Sequence, residues 1–68
     1  MTKTAYNDAL EYALVNARHL AMEYEQDAED ERNVIRQNYL KSEAQRMHDN
    51  AGWYEERMRM FGYDVPVS

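Results

Sequence analysis

Residues 23–31, read as EYEQDAEDE, decide how this chain folds. Six of the nine are acidic (Glu23, Glu25, Asp27, Glu29, Asp30, Glu31) and none is basic. The rest of the 68-residue chain carries seven acids and eight bases, so the formal net charge of −5 resides in this one stretch. Like charges recur there at i,i+4, in Glu23, Asp27 and Glu31 and again in Glu25 and Glu29, which mildly destabilises a continuous helix. Acids also sit poorly at the C-terminal end of a helix and well at the start of the next. Asp27 with Asp30 three residues on resembles a capping box. Together these features predict a short turn at about 26–31 with a second helix leaving it.

Upstream of the stretch the pattern is helical, predicting a first helix at about 4–26. Thr4 or Asn7 is placed to cap it, since a side-chain oxygen there accepts an unpaired amide of the first turn. On a wheel of about 100° per residue, Tyr6, Ala9, Leu10, Ala13, Leu14, Ala17, Leu20, Ala21 and Tyr24 fall in one arc. Its width suits a core-facing helix. Within it Ala5, Ala9, Ala13, Ala17 and Ala21 recur every fourth residue. A ridge of methyl groups lets a second helix approach closely, although alanine is also simply the best helix former.

Downstream, a second helix is predicted at about 31–61. Its seam reads Leu40, Ala44, Met47, Ala51, Tyr54, Met58, Phe61, alternating four- and three-residue steps in a coiled-coil-like heptad. The first helix carries Tyr6, Leu10, Ala13, Ala17, Leu20 and Tyr24 at the same spacing in a different phase. One straight helix would have to join the two seams through Asp27, Glu31, Asn38 and Lys41, which are polar. Two helices folded back on each other explain the phase change. Gly62 then Tyr63 reads as a helix stop, with a short tail over 62–68, and Pro66 prevents continuation. Gly52, inside the second helix, is expected to mark a close contact beside Ala51, or else a kink.

The expected fold is therefore all-α: one domain over 1–68, an antiparallel two-helix hairpin that can dimerise into a four-helix bundle. A chain this short is near the size where one core is only marginally sufficient. With no cysteine, neither a disulfide nor a thiolate metal site reinforces it. Self-association, a partner or unusually good helix packing are the remaining routes. Aromatic residues at 12% and hydrophobic ones at 44% argue against a disordered acidic tail.

Each helix has a second stripe outside the seam. On the first it is Tyr12, Val15, His19 and Met22; on the second it is Ile35, Tyr39, Arg46, Trp53, Arg57 and Met60. These are the residue types that proteins use to bind one another, and Arg57 lies one turn from Trp53, within stacking reach. The stripes serve self-association or a different protein, or else are scattered exposed apolar residues of the ordinary kind.

Catalytic signatures are absent. There is no Glu-x-x-His pair for a di-iron bundle, no HExxH, no phosphate loop and no cysteine nucleophile. No catalytic, cofactor-binding or metal site is expected, and the histidines read as surface residues. The acidic stretch lacks the glycine and ligand spacing of a calcium loop.

A sequence pI of about 4.8 disfavours direct contact with nucleic acid or an anionic membrane and favours basic protein surfaces. The longest apolar run, residues 13–15, is too short for a signal peptide or a span, which makes the cytoplasm the default setting. The functional expectation is a non-enzymatic protein-binding module, a regulator or inhibitor. The alternative is an acidic nucleic-acid mimic, of the kind phage inhibitors use, blocking the basic groove of a host or defence protein. A carboxylate metal-binding helical protein is a distant third.

Overall fold

A computed structural model describes residues 5–67. Two helices, α1 (Ala5–Asp30) and α2 (Val34–Met60), pack against each other, and no strand forms among the described residues. Residues 31–33 make the connection, so α1 runs to the end of the acidic stretch and the turn lies beyond the predicted 26–31. Like-charge repulsion at i,i+4 amounts to a few tenths of a kcal/mol per pair, too little to end a helix whose last turns are held otherwise. Ala28 is buried there, and its carbonyl accepts a bond from the Gln37 side chain at 3.1 Å.

Nor does α2 start on the expected capping box of Asp27 and Asp30. Asn33 is the N-cap: extended at φ −78° and ψ 118°, it accepts from the amides of Ile35 and Arg36 with its side-chain oxygen. That satisfies two of the orphan donors at the helix start. Glu31 accepts from the Asn33 amide and pairs with Arg36, which tightens the turn. At the other end Asn7 is not a cap but a buried residue inside α1, 6% exposed. Thr4 lies outside the described residues.

The seam of α1 is Asn7, Leu10, Leu14, Ala17, Ala21 and Ala28, all buried, with Tyr24 half-buried among them. The alanine ridge therefore splits: Ala5 and Ala9 are exposed, Ala13 is partly covered, and Ala17 and Ala21 are in the core. Steps of four residues advance about 40° beyond a full turn, so a ridge of five cannot stay on one seam. On α2 the expected seam buries Ala44, Ala51 and Met58 and half-buries Leu40, Met47 and Tyr54, whereas Phe61 is 51% exposed. Phe61 instead meets Tyr6 edge-on, with ring centroids 5.5 Å apart.

Large side chains gather at the open end of the hairpin. Leu10, Leu14, Ala17, Ala51 and Met58 form the core there, covered by Tyr54, Tyr63 and Val65. Toward the turn the core thins to Ala21, Ala28 and Ala44. The tail is part of this packing. Gly62, at φ 75°, lets the chain reverse so that the Tyr63 amide bonds the Met58 carbonyl and the Gly62 amide bonds that of Arg59. The result is a rod of 50 × 17 × 15 Å. Gly52 disagrees with expectation: α2 passes through it unbroken and a Cβ there would meet nothing within 4 Å.

Candidate interaction surfaces

The cross-hairpin ion pairs establish which residues share a flank. Arg18 bonds Glu55 at 3.2 Å, and His48 meets Glu25 at 3.0 Å. From the first pair to the second is seven residues up α1 and seven down α2, as antiparallel heptads require. Both pairs thus lie on one flank of the hairpin. Arg18 also donates to the Pro66 carbonyl at 2.8 Å, pinning the tail on the same flank. Glu55 takes Arg59 on its second oxygen.

Two residues further along each helix is the opposite flank. There α1 presents Tyr6, Ala13, Leu20 and Asp27, and α2 presents Arg36, Glu43, Asn50 and Arg57. Alongside the latter run Tyr39, Arg46, Trp53 and Met60, every seventh residue and therefore one row that drifts only about 20° per heptad along α2. All four are exposed: Tyr39 at 61%, Trp53 at 49%, Met60 at 68% and the Arg46 side chain at 66%. The Arg57 guanidinium sits 4.7 Å above the Trp53 ring, and Tyr54 meets that ring edge-on. Arg46 holds Glu43 at 2.9 Å. A shallow hollow is lined by Trp53, Glu56, Arg57 and Met60. Ile35, at the start of α2, is 81% exposed.

The α1 stripe is exposed too, with Tyr12 at 77%, Val15 at 52% and Met22 at 51%. Tyr12 and His19 lie on the back of α1, opposite the seam, and Val15 and Met22 turn toward the Arg18 flank. This stripe borders its own hollow, lined by Tyr12, Val15, Asn16 and His19. The two stripes consequently face different directions, and no single face of the hairpin contains both.

The six acids do not form one surface either. Five are spread round the outward side of the last turns of α1, and Glu31 lies in the connection. Glu23 meets His19 at 2.8 Å, Glu25 meets His48, and Glu31 pairs with Arg36. Asp27 and Asp30 border one hollow with Arg36 and Leu40, while Glu29 borders another with Gln37 and Lys41. Among the described residues no group of three or more His, Asp or Glu side chains is placed to hold a metal ion, and no helix is long and apolar enough to cross a membrane.

Sequence reasoning missed Arg18, whose three-way junction of α1, α2 and tail ties the open end together. It also missed Glu25 as the partner of His48. The signal was present in the heptad register, which puts Arg18, Glu25, His48 and Glu55 on one flank once the seams are known. Comparison with family models, curated proteins and solved structures finds no match.

Proposed function

We propose that this protein is a non-enzymatic interaction module, a regulator or inhibitor acting by protein–protein contact in the cytoplasm. One observation carries the reading: the row of Tyr39, Arg46, Trp53 and Met60 is exposed, although folding uses a different face of α2. Aromatic, methionine and arginine side chains supply most binding energy at protein interfaces. Exposing several in one line lowers solubility, and packing within the hairpin does not require it. Trp53 is the natural anchor, because Arg57 stacked on it restricts its motion before any partner arrives.

The acidic end of α1 supports a nucleic-acid mimic less well. A mimic needs its charges in a row facing one groove, whereas these are spread round the outward side of the helix end and three are engaged by nearby cations or histidines.

Tagged protein used as bait in a lysate of the native host separates the two readings. Capture lost in Trp53→Ala and retained in the triple variant Glu29→Gln, Asp30→Asn, Glu31→Gln supports the α2 face. The reverse pattern, with capture falling steeply as salt is added, supports the mimic and sinks the face.

A further inference from the structure

The α2 line is complementary to itself, and we infer that its occupant is a second copy of this chain, packed antiparallel on α2 about a two-fold axis at Asn50. This rests on the reading of that face as protein-binding and names its partner. A two-fold axis reverses one helix against the other and makes every contact twice. With Asn50 against its own copy, Tyr39 comes within one residue, about 1.5 Å along the axis, of the second copy's Met60, and Arg46 equally close to the second copy's Trp53. On the adjoining line Glu43 comes level with the second copy's Arg57.

Each of these pairings is favourable: thioether on aromatic ring, guanidinium on indole, carboxylate with guanidinium. Trp53 would then lie between its own Arg57, already 4.7 Å from the ring, and the second copy's Arg46. Glu43 has only 16% of its side chain exposed. A partly desolvated carboxylate gains more from a second arginine than an open one does.

Charge complementarity selects this register. Slipping by one heptad in one direction sets Arg46 against the second copy's Arg46 and takes Glu43 from any arginine. Slipping the other way sets Trp53 against its copy, Arg46 against a methionine, and again leaves Glu43 without a basic partner. Of these three registers only the one centred on Asn50 gives Glu43 a basic partner.

Geometry and size agree. On the helical wheel the line and its neighbours lie roughly 100° from the α2 seam, and a helix in a four-helix bundle meets its two neighbours at about a right angle. On the same flank α1 adds Tyr6, Ala13, Leu20 and Asp27, of which the first three are largely apolar. Asn50 is near the middle of α2 (Val34–Met60), so the two rods overlap along most of their length. The outline of that face, 50 × 17 Å, is about 850 Å², so a dimer that covers most of it reaches the size class of about 800 Å² per partner. The α1 stripe, facing elsewhere, stays outside such a dimer.

Sedimentation equilibrium across a wide concentration range tests the inference, with circular dichroism confirming that each variant is helical. The expected result is a reversible dimer that Trp53→Ala, Glu43→Lys and Arg57→Glu each weaken by about a hundredfold. Glu43→Lys and Arg57→Glu combined in one chain reverse both partners at once and recover at least about tenfold over either single change. A strict monomer overturns the inference, and so does a dimer in which the combined variant is no better than the singles. A strict monomer that still loses lysate capture on Trp53→Ala removes the second copy while leaving the protein-binding reading intact. That reading fails separately if Trp53→Ala changes neither association nor capture.

Discussion

Gly52 stands in the interior of α2, exposed, with open space where its side chain would be. Glycine there costs about 1 kcal/mol relative to alanine through backbone entropy alone. No close approach within the hairpin compensates for it. Gly52→Ala should therefore raise the stability of the protein by about 1 kcal/mol, read as a higher urea midpoint at unchanged m-value. A fall in the midpoint would mean that the hairpin uses the missing side chain after all. Met58 and Leu14 show the opposite case at this scale: both are fully buried and sit where the core is thickest. The place of Met58 was readable from the heptad seam, whereas Leu14 fell in the apolar arc of α1 but outside the seam of Tyr6, Leu10, Ala13, Ala17, Leu20 and Tyr24. Gly52 was misjudged because consecutive residues of a helix point about 100° apart, so a place beside the buried Ala51 does not put Gly52 in the contact.

At the scale of elements, α1 ends against its own electrostatics. Its last turn contains no basic residue, and Glu29 and Asp30 stand exposed beside carbonyls that already carry partial negative charge. The helix persists because Ala28 is buried, Gln37 bonds its carbonyl, and Asn33 starts α2 immediately afterward. Replacing the repulsion with an attraction should help: Asp30→Lys is expected to stabilise the fold by about 0.5–1 kcal/mol at low ionic strength. Most of that gain should vanish in thermal melts at high salt. An unchanged melting temperature at low salt would show that the acids do not strain the helix end. The predicted turn fell several residues early for the same reason: repulsion marks where charge crowds, and burial plus capping mark where a helix stops. Asn33 was an available cap in the sequence, yet Arg36 stands where a capping box would need an acid or amide, so the box pattern pointed elsewhere.

For the whole molecule the decisive feature is length against thickness. A rod 50 Å long and 17 by 15 Å across has a core only one side chain deep. The tail adds a third layer at the open end, where Tyr63 and Val65 pack on the core and Pro66 accepts from Arg18. A chain ended at Gly62 should lose about 2–3 kcal/mol, from partial exposure of that cluster and loss of a charge-assisted hydrogen bond. Urea titration of the shortened protein checks this, and equal stability would reduce the tail to a passenger. A second copy laid on the α2 line would cover further apolar surface at the same thin section.

The amino-acid order alone determined that the chain is helical, that it forms two arms, and where the second arm stops. These follow from periodicity and from Gly62, which act over a few residues and leave their mark in the local pattern. It also showed which side chains on α2 lie outside the seam. Only the tertiary structure decided the position of the turn and the rotation of α1 by about one residue. It alone brought Arg18 to Glu55 and Pro66, and Glu25 to His48. It also separated the two apolar stripes onto different sides. The reason is register: each helix tolerates several rotations and offsets at similar local energy, and the choice among them is made by the packing of one helix on the other. The acidic stretch was therefore legible as a break in the pattern but not as what it is, the last turns of α1.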